Sequence, residues 1–478
     1  MNTAVILLIF PFVMAIIAML VPSNRWRPSL LPLTAAIHFV LTLVCVFRAG
    51  EPESVWIGLD PAGRLVLLLI SLLYLITSFY LVGYLKYHPR RENRIFVTCL
   101  CCTLGTMTLV TWSRHLGIMW MAIETTALCT APLIYFNKTP RSIEATWKYM
   151  LIGFVGIALA LLGTFFLAYA SLHAGLQPTL IFSELLNCAQ QLSKPWLHAA
   201  FVLMLVGYGT KMGLAPMHTW KPDAYGAAPG AVGALLAGGV TSCAFLCILR
   251  IYQICAAAGE TLFVSPMLIF MGLFSMAVAG IFMVGQQDYK RMLAYSSVEH
   301  MGILILGLGI GAPAFFGTLL HVFNNGLTKG ILFLSAGNIH RSYASTSTDK
   351  VHGALKRLPV SAALFLTGFL AITGSPPFGP FISEFSILNA GFSSGHFVAS
   401  ALFLIFLLVI FVGMGATVLT VVQGNAPESA PRTAYREGVL TIVPPIILLA
   451  LVLMLGLHIP APLNNLLHQA VTFLETQP

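Results

Sequence analysis

The stretch Gly207–Ala224, GYGTKMGLAPMHTWKPDA, decides how the chain is read. It places Lys211 inside an apolar run that begins near His198, and then interrupts that run with Gly213 and Pro216. An ammonium at membrane depth costs on the order of several kcal/mol, so such residues face a protein interior or a water-filled cavity. Glycine and proline weaken or remove backbone hydrogen bonds, and non-helical backbone at that depth is tolerated only where it lines a cavity or is enclosed by protein. A broken helix carrying a buried base points to an ion path.

The surrounding composition places this break in a bilayer. Hydrophobic residues make up 58% of the 478 residues and charged residues 9%, with mean hydropathy +0.88, which excludes a soluble domain. Apolar units of about 20 residues span a bilayer. They divide the chain into fourteen expected spans: 3–21, 29–48, 65–85, 94–112, 115–136, 145–172, 198–220, 229–250, 262–284, 291–311, 313–340, 358–390 (interrupted), 397–422 and 438–458. The fold class is thus an all-α polytopic membrane protein. Ala4–Leu20 has no basic front and no small-residue cleavage site, and reads as a retained span. The nine cysteines show no paired spacing. Cys99, Cys101 and Cys102 crowd one helix, and Cys243 and Cys247 lie one turn apart on another, a pattern of packing residues. No metal and no cofactor is expected.

Orientation follows from the basic residues in the connections. With the N-terminus outside, eighteen of the 25 Lys and Arg, among them Arg27, Arg90, Lys221, Lys290, Arg341 and Arg432, fall on the cytoplasmic side. Arg48, Arg64, Arg114, Lys194 and Arg250 fall on the other, and Lys211 and Lys329 stay within the membrane. Both termini are therefore expected to be non-cytoplasmic. The net charge of +9 becomes a cytoplasmic collar and not a nucleic-acid surface.

A second apolar segment is broken in the same way at Gly374–Pro380, GSPPFGP, where Pro376 and Pro377 precede Glu384. The two breaks lie five spans apart, and an odd offset makes corresponding helices cross in opposite senses. That is the signature of an inverted repeat with a binding site at its centre; the alternative is a coincidence of two proline kinks. The expected division is 1–93 for three leading helices, 94–255 and 256–424 for the two five-helix repeats, and 425–478 for the last helix and tail.

Most acidic residues lie in connections, but Glu124 sits in IMWMAIETTALCTAPLIYF with no other charge between Arg114 and Lys138. Glu299 and His300 lie about two turns into the tenth span. His321, Asn325 and Lys329 are spaced by four and share one helix face. Each has a structural alternative. Glu299 can be protonated and bonded to a carbonyl, and Glu124 with Lys211 can be an ion pair that fixes the fold, although apolar replacement of such pairs is often neutral or stabilising. His218 can relay protons or cap the broken turn. Glu144 and Lys148 form an i, i+4 pair that reads as a surface feature, and Gly307, Gly309 and Gly311 read as helix-packing residues because no strand precedes them. Chemically, desolvation disfavours the charged form of a lysine while a nearby glutamate holds it charged, so the two form a switch. Histidines and a hydrated break supply a relay. No acid–base–nucleophile arrangement is visible.

GTKMGLAPMHTWKPDAYGAAP, AYSSVEHMGILILGLG, NNGLTKGILFLSAGNIHR and GSPPFGPFISEF resemble the antiporter-like subunits of respiratory complex I, the Mrp cation/proton antiporters and the membrane-bound hydrogenases, the middle two being closest to the component F type of hydrogenase 4. The resemblance runs from about Glu124 to Phe385. It implies a fourteen-helix fold with a five-helix inverted repeat and a proton-translocating membrane subunit of an oxidoreductase complex, without redox centres of its own, in the plasma membrane of a prokaryote. It implies that Glu124 and Lys211 are the key pair, with His321, Lys329 and Glu384 continuing the path. Thr241 and Ser242 stand where many members of the family have a lysine, and Asn325 where some have a second histidine. The partners implied are other membrane subunits. An Mrp-type antiporter subunit and a membrane partner in inorganic carbon uptake are the alternatives.

Overall fold

The computed structural model describes residues 3–47, 54–87, 91–425, 433 and 435–475. Arg48, Arg90 and Arg432, which enter the orientation argument, lie outside them. The described residues are helical throughout, with extended pairing limited to three isolated bridges, Ile57–Ser113, His115–Ile181 and Asp288–Ser347. In hydrocarbon every backbone polar group must be satisfied within the segment, and the helix does so with its own i to i−4 bonds.

The first part of the chain forms α1 (Thr3–Leu20), α2 (Leu30–Phe47), α3 (Pro61–Lys86), α4 (Arg94–Trp112), α5 (Leu116–Ile134) and α6 (Pro140–His173). A short α7 (Phe182–Asn187) precedes the first interrupted helix, whose halves are α8 (Lys194–Met212) and α9 (Trp220–Ala227). A six-residue α10 (Gly230–Leu235) continues through a π-turn at Leu236–Val240 into α11 (Thr241–Ala257). Then come α12 (Thr261–Met283), α13 (Tyr289–Ile310), α14 (Ala312–Tyr343) and the single turn α15 (Ala354–Arg357). The second interrupted helix is α16 (Pro359–Ile372) with α17 (Gly379–Ser393), followed by α18 (Phe397–Val422), α19 (Val439–Leu457) and α20 (Ala461–Glu475). The starts have local causes. The Asp60 carboxylate accepts from Gly63 N at 2.5 Å and Pro61 opens α3; Thr139 and Ser142 form a capping box before α6. The sequence reading did not anticipate α7 or the amphipathic α20.

Eleven of the described helices are long and apolar enough to cross a membrane. They fall into two kinds. Only 28% of the most apolar window of α18 is buried within the protein, whereas the window in α10–α11 is wholly buried. The outer helices present apolar side chains such as Ile281, Leu408 and Val439 outward, and the inner ones carry the polar groups. The 32-residue α14 is buried along nearly its whole length, against α13, α16, α17, α19, α3 and α10. Its apolar residues alternate with His321, Asn324, Asn325 and Lys329, so the polar row runs through the centre of the molecule.

Four basic residues assigned above to connections are instead buried: Arg27, Lys221, Lys290 and Arg250. Helix ends leave carbonyls unpaired, and long cationic side chains reach back to them. Arg250 binds Asp60 at 2.7 and 3.1 Å and the carbonyls of Val110, Thr111 and Ser113, tying α11 to the ends of α3 and α4. Lys290 donates to the carbonyls of Gly226 and Ala228 at the end of α9.

Close helix approach depends on glycine. A Cβ on Gly207 of α8 would stand 2.6 Å from both Ala160 N and Gly156 O of α6, and one on Gly309 would stand 2.8 Å from Ile269 N of α12. Gly309 thus packs helices. Because the obstructing atoms at Gly207 are backbone, Gly207→Val should force α6 and α8 apart and destabilise the chain by about 1–3 kcal/mol. The expected result is a lower thermal unfolding midpoint of the detergent-purified chain, read by intrinsic fluorescence.

Candidate functional site

α5 and α8 bring Glu124 and Lys211 together, Nζ to Oε2 at 3.2 Å. The lysine side chain is 2% exposed and the carboxylate 15%. The contact is an ion pair off the hydrogen-bonding direction, for neither carboxylate oxygen nor Nζ has a protein hydrogen-bond partner. Nζ also lies 5.7 Å from the ring centroid of Tyr149, whose hydroxyl is bonded to Thr130 at 2.7 Å. The space it occupies exists because α6 has glycine there: a Cβ on Gly153 would lie 3.2 Å from Nζ. The ammonium therefore has one counter-charge and no competing ties.

Two residues on, Gly213 takes φ +80° and ends α8, its N–H bonded to Gly209 O at 2.7 Å. The Met212 carbonyl, left outside the helix ladder, accepts from Lys221 Nζ at 2.7 Å. The same ammonium reaches Ser297 O of α13 at 3.3 Å. Lys221 is completely buried, and a Cβ on Gly213 would lie 2.5 Å from its Cδ. It is the functional candidate that sequence reasoning missed. The available signal was its place one helical start beyond the Gly213–Pro216 break, where a freed carbonyl needs a donor. Pro216 lies in the same bend. His218 is 6% exposed with Nδ1 unpartnered, and the rings nearest to it are those of Phe282 and Tyr295.

The second half holds a connected series. Lys329 Nζ donates to Ser296 Oγ at 2.7 Å, and that hydroxyl lies 3.4 Å from Glu299 Oε2. Glu299 Oε2 is 3.8 Å from His300 Nε2. His300 Nδ1 meets His321 Nε2 at 3.0 Å and lies 3.9 Å from Glu384 Oε1. His321 Nδ1 meets Ser383 Oγ at 2.9 Å. A bond between two ring nitrogens requires a proton on one and a lone pair on the other, so the pair holds a transferable proton. Asn325 is buried beside this row, with both amide atoms lacking a protein partner. Glu384 has its place because of the second break: Gly374, at φ +67°, comes so close to the carboxylate that a Cβ would overlap it, in the bend that holds Pro376 and Pro377. Donor atoms of His300, His321 and Glu384 lie within 4.8 Å of one another, the one such group among the described residues.

Thr241 and Ser242 are not joined to the row. Their hydroxyls donate to Ala237 O and Gly238 O at 2.7 Å each and tie off carbonyls of the π-turn. The Glu144–Lys148 pair is exposed, a surface feature as its spacing suggests, and it continues into a short network. Lys148 is 2.6 Å from Glu144 and 2.9 Å from Asp223 of α9, and Asp223 also pairs with Arg291.

The transmembrane model of the NADH:quinone oxidoreductase/Mrp antiporter family matches residues 113–411, a span that holds both breaks and every group above. The chain belongs to this family. A hydrogenase-4 component F homolog of Methylacidiphilum infernorum (isolate V4) is 32% identical over 438 residues, covering 90% of each protein. NADH-quinone oxidoreductase subunit N of Desulforudis audaxviator (strain MP104C) is 31% identical over 363 residues, covering 74% of this chain and 70% of that one. Among solved structures, a chain of the membrane-bound sulfane sulfur reductase, an archaeal respiratory membrane complex, superposes with TM-score 0.86 over 98% of this chain and 97% of that chain, at 22% identity. The protein is a multi-pass membrane subunit of the antiporter-like kind.

The crowding at Gly213 separates from backbone strain by a matched pair. Gly175 has nearly the same φ, +78°, with nothing within 4 Å of a Cβ. Gly175→Ala should carry only the cost of a left-handed alanine, about 1 kcal/mol. Gly213→Ala should lower the thermal midpoint further, because it also displaces Lys221 from the Met212 carbonyl.

Proposed function

We propose that this chain is the proton-translocating membrane subunit of a hydrogenase-4-like or complex-I-like oxidoreductase. The observation that carries this reading is the buried Glu124–Lys211 pair beside the break in α8. While the pair is closed, the carboxylate holds the ammonium charged. Withdrawing or neutralising Glu124 leaves an uncompensated cation in low dielectric, which then releases its proton. Lys221 stands next, on the carbonyl of the residue adjoining Lys211, and its second acceptor, Ser297 O, adjoins the Ser296 hydroxyl that holds Lys329. From there Glu299, His300, His321 and Glu384 continue the path. His218 and Asn325, buried with unpartnered polar atoms, serve as relay groups beside it, and Thr241 and Ser242 shape the adjoining helix.

Adding α8–α9, α14 and α16–α17 to the eleven apolar helices, we read fourteen crossings, with five-helix halves at 94–255 and 256–424 flanked by 1–93 and 425–478. Both termini then lie on the non-cytoplasmic side of a prokaryotic plasma membrane, and the other membrane subunits of the complex are the partners. A second reading, cation/proton antiport, is favoured by the family's own inclusion of Mrp antiporters. A sodium dependence of the flux would select it.

Two outcomes are expected. Lys211→Ala and Glu124→Gln should each abolish proton flux in membrane vesicles while the complex assembles. If the pair were only structural, either change would strand a buried charge at roughly 3–5 kcal/mol and reduce assembly instead, and Lys211→Met with Glu124→Leu would restore it. A double variant that assembles and pumps normally refutes the mechanism. For topology, Glu92→Cys in a cysteine-free chain should resist impermeant maleimide in intact cells and react in inverted vesicles.

A further inference from the structure

We infer that a cavity of about 780 Å³, at the α3 and α14 ends remote from the Glu124–Lys211 pair, binds a phosphate group through Arg341. Arg341 lies in the last turn of α14. Its Nε, Nη1 and Nη2 are all buried, and none has a hydrogen-bond partner. Four tyrosine rings surround its Cζ, with centroids at 4.1 Å (Tyr84), 5.4 Å (Tyr435), 5.5 Å (Tyr87) and 5.6 Å (Tyr80). Aromatic faces stabilise a cation, but they do not accept the in-plane N–H groups of a guanidinium fork. Among the described residues, the two fully buried arginines are treated differently. Arg27 and Arg250 each place all three nitrogens on carbonyls, amides or a carboxylate. A buried charged donor left without an acceptor is costly, and the acceptor that fits this fork is a planar or tetrahedral oxyanion.

The charge of the cavity selects among oxyanions. Among the described lining residues, Arg91 and Arg141 stand with Arg341 against the one carboxylate of Asp288. That carboxylate is already occupied by Arg141 at 2.8 Å, Thr346 at 2.7 Å and the N–H groups of Lys290 and Arg291. Arg91 is satisfied by neutral acceptors, Asn137 Oδ1 at 2.9 Å and Phe136 O at 3.2 Å, so its charge stays uncompensated. Three guanidiniums against one carboxylate leave two positive charges. A phosphate answers both, whereas a carboxylate answers one. The volume suits a ligand headgroup, and a tyrosine- and arginine-lined pocket at the ends of membrane helices is the setting in which anionic lipid headgroups bind. A phospholipid headgroup and free phosphate share this chemistry, and the experiment separates them.

The full chain is purified in detergent, and bound phospholipid is measured by phosphorus assay and native mass spectrometry before and after delipidation. The delipidated chain is then titrated with inorganic phosphate or with dihexanoyl-phosphatidylglycerol against chloride of equal ionic strength, following the thermal midpoint. A saturable rise with at least one probe is expected, with about tenfold or more weaker apparent affinity in Arg341→Gln. A rise with the lipid alone, or a stoichiometric co-purified phospholipid that Arg341→Gln lacks, assigns the headgroup. A rise with inorganic phosphate assigns the free anion. Should Arg341→Gln fail to fold, Arg91→Gln, which removes half of the excess charge, is expected to weaken binding several-fold. No saturable rise with either probe and no co-purified phospholipid, or binding unchanged in these variants, overturns the proposal.

Discussion

The structure depends on one constraint: backbone polar groups cannot be left unpaired at membrane depth. Interrupting α8 at Gly213 frees carbonyls and N–H groups, and side chains drawn from two helices, α9 and α12, settle them. Lys221 takes the Met212 carbonyl, Trp220 Nε1 takes Thr210 O at 2.8 Å, and Ser275 of α12 accepts from Ala215 N at 3.1 Å. The break is thereby enclosed by the elements it must serve. It also explains why a fully buried lysine is found where the chain seemed to enter a loop, since the freed carbonyls solvate an ammonium.

The two breaks use glycine in the same way with opposite charge. Gly213 and Gly374 both adopt positive φ, and each leaves room for a charged side chain from the following half-helix, Lys221 in one case and Glu384 in the other. A side chain at either glycine would displace the charge it shelters. The lysine near the first break and the glutamate near the second bracket the row Lys329–Glu299–His300–His321, so the buried polar row lies between a basic and an acidic group within a low dielectric, where a change of charge acts strongly.

The central position of α14 turns these local features into one system. Its face carries His321, Asn325 and Lys329 inside, and its last turn carries Arg341. One helix thus joins the buried polar row to the cavity at its end, and a ligand held by Arg341 would touch the same helix that carries the row.

Composition and spacing alone determined the membrane class, most helix boundaries to within a few residues, and the two breaks, because hydrocarbon length and the backbone demands of Gly and Pro are written locally; the seventh and eighth spans, expected at 198–220 and 229–250, instead end at Met212 and Ala257. The same holds for Glu124, Lys211, Glu384 and the i, i+4 row, since a charge inside an apolar run is conspicuous without knowledge of its partner. Tertiary structure alone decided what those groups touch. Lys221, Lys290 and Arg250 look like loop charges in sequence, and only packing shows them buried on carbonyls. Thr241 and Ser242 stand at a relay position in sequence, yet their hydroxyls are spent on their own helix. The unpartnered Arg341 fork could not be read at all from a chain rich in terminal arginines. Burial and hydrogen-bond satisfaction are sums over distant segments, whereas hydropathy and backbone propensity belong to a single stretch.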